Sequence, residues 1–297
     1  MAELYSVAVK LMDESFNPLD TPNYGIAIVL NETSIGFCTL DFKRNKFLGL
    51  HRFVRIDSEP REKQFSSGPT FRDFLNEVIA AIPWLRNPFK MIKIAFEGKN
   101  TTLVPAQLFD PKEKEHYLNF NFSQLTDEQV FCDHLMPLDA WQVYGVPVSI
   151  VEATKELFPQ SKVVHSSSLL IESVWINYKN RINSPHVFLH VRELLFDLMI
   201  FNGRQMNYFN TFPFQNPEDV TYYLIFVMEQ LNLNPEKIPL VLMGNIEPGD
   251  GLSELLLRYV RHGETARRNE SYKYSYILNQ LPPQANFPLF NFFSCGL

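Results

Sequence analysis

The sequence predicts an α/β protein built from two copies of one unit: three antiparallel strands, a crossover helix and a returning parallel strand. The first observation is residues 186–244, which run HVFLHV, LLFDLMIF, an Asn202-Gly203 turn, RQMNYFNTFPF, an amphipathic segment and IPLVLMG. The second is that the same order occurs between Gly25 and Gly98, with Ile26 and Val187 at equivalent positions. The third is size: 297 residues, 45% hydrophobic, suffice for two lobes with separate cores.

In the first unit, residues 25–30 (GIAIVL) predict a buried strand, and Asn31-Glu32-Thr33 a tight polar turn. Residues 34–42 (SIGFCTLDF) alternate in polarity, and residues 47–56 (FLGLHRFVRI) complete the meander; connections this short force antiparallel pairing. Residues 1–23 end in the turn signals Asn17-Pro18 and Thr21-Pro22 and form an edge extension of the first lobe. Residues 57–68 read as a polar loop, and Pro69 suits the first turn of a helix. Phe71, Phe74, Leu75, Val78, Ile79 and Ile82 then fall at helical spacing, Pro83 ends the helix, and residues 91–96 (MIKIAF) return as a strand parallel to the first.

Residues 99–147 break this pattern and read as strand, short helix, strand and strand, a small inserted subdomain. A helix over 148–158, a short strand over 162–165 and a helix capped by Ser166–168 and running to about residue 180 follow. Asn183-Ser184-Pro185 joins the halves, which sets the expected lobes at 1–182 and 183–297. In the second unit the Asn-Gly turn is a strong hairpin signal. The helix over 217–231 carries Val220, Tyr223, Leu224, Val227, Met228 and Leu231 on one face. A strand over 238–243 and a helix over 252–260 follow, residues 262–282 are poorly patterned, and the chain ends in the apolar NFPLFNFFSCGL. A tail so rich in Phe predicts docking, against the second lobe or into a partner, with Asn286 capping a terminal helical turn or the segment forming an edge strand.

A net charge of −6, interspersed, disfavours nucleic acid as a partner. No apolar run reaches membrane-spanning length and the N-terminus lacks a basic-then-apolar segment, so direct membrane insertion is not expected. Cys38, Cys132 and Cys295 are far apart and odd in number, which predicts neither structural zinc nor disulfides and points to the cytoplasm.

Two copies of this unit resemble the actin-like ATPase superfamily, of ribonuclease H-like fold, which includes actin, sugar kinases and heat-shock chaperone ATPases. The second half is similar to the pilus-assembly protein PilM and the cytoplasmic part of the secretion protein GspL. TTLVPAQLF and VVHSSSLLIE also resemble an uncharacterised bacterial family of divergent actin-like fold. The superfamily resemblance implies a phosphate-cradling turn of the type Asp-x-Gly in each half, with the aspartate holding hydrated magnesium. Here Val29 stands where the first Asp belongs, and Asn31 and Glu32 where Gly and Thr belong. His190-Val191-Arg192 occupies the second turn. The adenosine-side Gly-Gly is reduced to Gly244-Asn245, with Gly249 and Gly251 beyond, and a plain strand-to-helix loop explains these glycines equally.

The remaining candidates each have two readings. His190, Arg192, Glu193, Asp197 and Arg204 form an anion site in the interlobe cleft or sit on a solvated sheet face. Glu97 lies where the superfamily often keeps its water-positioning residue. His165 reads as a cap or surface residue, and Ser166, Ser167 and Ser168 lack the GxSxG context of a nucleophile. No catalytic, cofactor or metal residue is assigned. The expected function is a non-catalytic scaffold or adaptor with a degenerate nucleotide site and a protein partner. The alternatives are a divergent ATPase or kinase-like enzyme and an interlobe small-molecule sensor.

Overall fold

The structure, a computed structural model, describes residues 4–56, 70–122, 127–159 and 161–297. The first lobe opens with strand β1 (Tyr5–Met12) and the meander β2 (Tyr24–Leu30), β3 (Ser34–Asp41) and β4 (Lys46–Arg55). Helix α1 (Phe71–Ala81) leads to β5 (Met91–Phe96). Strand β6 (Thr101–Pro105), helix α2 (Lys114–Asn121), β7 (Glu128–Leu135) and β8 (Ala140–Pro147) make up the insert. Helix α3 (Val148–Leu157), β9 (Val163–His165) and α4 (Ser166–Tyr178) close this half. The second meander is β10 (Pro185–Val191), β11 (Leu195–Asn202) and β12 (Gln205–Pro213). It continues through α5 (Pro217–Gln230), β13 (Leu240–Gly244), α6 (Gly251–Tyr259), β14 (Gly263–Thr265), β15 (Lys273–Tyr274) and the terminal α7 (Phe287–Asn291).

The duplication is visible in strand order. The first sheet runs β1-β4-β3-β2-β5-β9, with β15 also pairing β4; the second runs β12-β11-β10-β13-β14. In both, an antiparallel meander is joined on its first strand by a parallel returning strand. Both crossover helices begin with a reciprocal cap, Thr70 with Asp73 on α1 and Asn216 with Asp219 on α5, which satisfies first-turn amides that the helix cannot. The predicted loop over 57–68 and the role of Pro69 lie outside the described residues. Strand β1 pairs with β4 as the expected edge extension. The poorly patterned stretch contains two further strands, β14 extending the second sheet and β15 joining the first. At three and two residues they are too short to show an alternation.

The central strands of the two main sheets are buried on both faces. Ile26 and Ile28 of β2 pack with α1 and α3, while Ala27 faces the other way. Val187 and Leu189 of β10 pack against α5 and α6, while Phe188 meets α4. Helix α4 has buried residues around most of its circumference because it lies between the two sheets: Leu169 joins the first core, and Leu170, Ile171 and Val174 the second. The insert has its own antiparallel sheet, β6-β8-β7, packed on α2 through Val104, Leu118, Val130 and Val143.

The apolar tail is docked, but chiefly on the first lobe rather than the second. Leu289, Phe290 and Phe292 join Ala27, Cys38 and Phe47 on the face of the first sheet that α4 leaves uncovered, while Phe287 is buried in the cluster of Tyr178 and Phe188 and Leu297 packs against both clusters. Gly25 admits the Phe293 ring so closely that a Cβ there would lie 2.6 Å from it. Lys93 Nζ donates to the backbone oxygens of Phe292, Cys295 and Leu297 at 3.1, 2.6 and 3.2 Å, capping the final turn. The terminal turn is helical, as one expectation had it. Asn286 does not cap it: its backbone is left-handed (φ 55°) and its Oδ1 instead accepts from Arg52 Nη2 at 3.0 Å.

Candidate functional site

The two meander turns face a common cleft, a cavity of about 380 Å³ lined by both lobes and by the start of the tail. Asn31 and Arg192 hold equivalent places in the repeat. Each donates its backbone N–H across its turn, Asn31 to the Ser34 carbonyl at 2.9 Å and Arg192 to the Leu195 carbonyl at 2.8 Å.

In the first turn the Asn31 carboxamide folds inward. Its Oδ1 accepts from the N–H groups of Thr33 and Ser34 at 2.9 and 2.7 Å and from both hydroxyls at 3.1 Å. These are the donors that a turn of this kind would offer a phosphate oxygen, and here the chain supplies the oxygen itself. Val29 lines the cavity and brings no carboxylate for a cation.

In the second turn Arg192 reaches across the cleft. Its Nη1 donates to Glu97 Oε1 at 3.0 Å, at the end of β5 in the other lobe, and its Nη2 to Asp197 Oδ1 at 2.8 Å. Asp197 also accepts from Thr211 Oγ1 at 2.7 Å, and His190 Nδ1 lies 3.1 Å from its Oδ2. The register explains this row, since β10 sets His190 opposite Asp197 and β12 sets Thr211 opposite Asp197. Burial opposes ionisation of Asp197, yet the Arg192 guanidinium and the His190 and Thr211 donors hold its carboxyl well below the usual carboxylate range. Burial likewise opposes the charge on Arg192, and Asp197 with Glu97 outweighs it, raising the guanidinium above its ordinary value.

Of the charged residues read from the sequence, His190, Arg192, Glu193 and Asp197 line the cleft together with Glu97. The solvated-face reading is wrong for Arg192 and Asp197, whose side chains are only 10% and 3% exposed. Arg204 does not join them. It follows the Asn202-Gly203 turn at the opposite end of the sheet, is exposed, and lies a full strand away. The sequence did not point to Thr211 or Arg52 and offered Asn286 only as a helix cap; Arg52 and Asn286 line the same cavity.

His165 is a cap, as expected, but wholly buried rather than on the surface: Nδ1 accepts from the Ser167 N–H at 3.1 Å at the start of α4. Burial, with help from nearby Arg192, pushes its pKa down to about 3, so the ring is neutral. Asp133 of the insert, also unremarked in the sequence, accepts from the His165 N–H at 2.8 Å and the Tyr144 hydroxyl at 3.1 Å, tying insert to lobe. Gly244 turns the chain at φ +82°, and a Cβ there would strike the Val191 carbonyl at 2.1 Å, so backbone geometry alone requires it. Among the described residues, no group of three or more His, Cys, Asp or Glu is placed to hold a metal, and no helix is long and apolar enough to cross a membrane. The donors of the first turn are taken and the second turn is filled by a neutralised arginine, so these residues do not fit a magnesium–nucleotide group.

Two lobes of this topology around a shared cleft define an actin-like fold. The chain belongs to the family described as a protein of unknown function (DUF3822), whose model matches residues 13–262. It is similar to a Bacteroides thetaiotaomicron protein with actin-like ATPase fold and unknown function, at 20% identity and TM-score 0.74, covering 94% of this chain and 99% of the other. It is also similar to a chain of the PilM–PilN type IV pilus biogenesis complex, at 11% identity and TM-score 0.60, covering 90% and 96%. This second likeness spans both lobes, not the second half alone. No curated protein matches.

Proposed function

We propose that this chain is a non-catalytic member of the actin-like fold, a cytoplasmic scaffold or adaptor whose work is binding another protein. The observation that carries the reading is the Arg192 bridge: a side chain of one lobe stands between Glu97 and Asp197 in the cleft. Asn31 supports it by satisfying the first turn from within. The PilM neighbour supports a protein partner, since that structure is a complex with PilN. The lobe boundary follows the joint at Asn183-Ser184-Pro185, giving lobes 1–182 and 183–297 with the insert at about 99–147. Isothermal titration with magnesium-ATP tests the reading; binding is expected at millimolar strength or weaker, with no turnover above background. Micromolar, magnesium-dependent binding would overturn it. A second reading, a small-molecule sensor, is favoured by the cavity of about 380 Å³ that remains beside the bridge.

A further inference from the structure

Helix α5 has one apolar stripe more than its lobe needs. Val220, Leu224, Val227 and Met228 are buried in the second core. Tyr222 and Phe226, four residues apart, point outward at 64% and 46% exposure, with their rings stacked 6.0 Å apart. Helix α6 lies alongside and presents Leu255 and Tyr259, the latter 53% exposed. Between the two helices runs a groove of about 370 Å³ whose floor is Tyr222, Ile225, Phe226, Leu255 and Tyr259. An aromatic-floored, solvent-open groove of this kind marks an interaction surface rather than a core defect.

The groove also carries a charge pattern. Its polar lining is Glu218, Thr221 and Glu229, and no Lys or Arg lines it among the described residues. The two glutamates bracket the aromatic pair, eleven positions apart, which is about 16 Å along a helix. A second copy of this chain would bring the same acidic rim against itself, and like charges disfavour that pairing. We propose that the α5–α6 groove docks an amphipathic helix of a basic partner, with apolar residues four apart on the aromatic floor and Lys or Arg flanking them to meet Glu218 and Glu229. This deepens the adaptor reading by naming the partner's chemistry and rests on that reading for its biological sense.

The test is selection of helical peptides from a randomised display library on the full-length chain. Enriched peptides should carry apolar residues at a four-residue spacing with basic flanks. Their affinity should fall about tenfold or more in Tyr222→Ala and in Phe226→Ala, the loss typical of an aromatic anchor. Both rings are largely exposed, so the variants should melt with the parent. Affinity should also fall with rising salt and in the charge-reversed Glu218→Lys/Glu229→Lys variant. Acidic flanks, binding unchanged in the two alanine variants, or no enrichment would overturn the proposal. So would sedimentation showing a dimer that Tyr222→Ala and Phe226→Ala dissociate, which would make a second copy the occupant. A chain that binds both these peptides and magnesium-ATP would sink the non-catalytic reading and leave the groove standing; a chain that binds neither would do the reverse.

Discussion

Replacing Arg192 by Met tests whether the cleft is held by its own charges. The substitution keeps the aliphatic bulk and removes the guanidinium that meets Glu97 and Asp197 at 3.0 and 2.8 Å. Asp197 is then a buried carboxylate with only the His190 and Thr211 donors left. Removing one partner of a buried ion pair typically costs about 3–5 kcal/mol, because the other charge stays desolvated. For lobes of this size that corresponds to a fall of roughly 10 °C in melting temperature. The pH dependence gives a second readout. In the parent, the Asp197 pKa is depressed, so its contribution is complete above the ordinary carboxylate range and is lost only as pH falls below it. In the variant, uncompensated burial raises that pKa instead, and protonation then favours the folded state. The gap between parent and variant should therefore narrow as pH falls from 7 to 5. Adding Asp197→Asn should recover part of the loss. Denaturation at both pH values measures this. A variant that melts within a degree or two of the parent at pH 7, with a gap independent of pH, would refute the reasoning.

Deleting residues 286–297 uncovers the first sheet where Leu289, Phe290 and Phe292 sit, each worth roughly 1.5–3 kcal/mol of burial. The truncated chain should melt at least about 10 °C lower or be insoluble, and unchanged melting would show the tail is no part of the core. His51 and His165 are buried and neutral, with burial pushing their pKa values down to about 4 and about 3. The unfolded chain takes up protons below about pH 6.5 while the folded chain does not, so stability holds above that pH and falls below it, by about 1.4 kcal/mol per pH unit for each ring. Between pH 6.5 and 5 the pair should remove about 3 kcal/mol by urea titration. His51→Phe, which keeps the stack on Phe37, should roughly halve that slope, and an unaltered slope would exclude His51 as a source.

The repeated unit was legible because each of its parts carries a local signal. Asn202-Gly203 announces a hairpin, Phe71 to Ile82 announces a helix face, and the run from Leu240 to Gly244 announces a strand buried on both sides. The cleft's charged residues were legible as candidates, but their pairing was not, for a reason of register. A straight count back from the Asn202–Gln205 pair would set Asn210 opposite Asp197. The bulge between Ile200 and Phe201 shifts the register by one and puts Thr211 there instead. The Arg192–Glu97 bond spans 95 positions and two sheets, and no periodicity relates them. The tail was legible as apolar but not as to where it docks. Which sheet face lacks cover depends on how α4 divides itself between two cores.

The two turns that face this cleft differ at two equivalent residues, Asn31 and Arg192. The repeat gives both lobes the same turn, with the same backbone bond across it, from Asn31 to Ser34 and from Arg192 to Leu195. The short carboxamide at Asn31 turns back and satisfies its own turn. The guanidinium at Arg192 has no acceptor to offer its turn's N–H groups, and instead leaves the turn and donates to the opposite lobe. A cleft bridged by Arg192, with Phe287 and Leu289 of one tail packed into cores on either side, is held by covalently attached groups whose effective concentration does not change. The physical consequence is that the two lobes are joined across the cleft by Arg192 and by the docked tail.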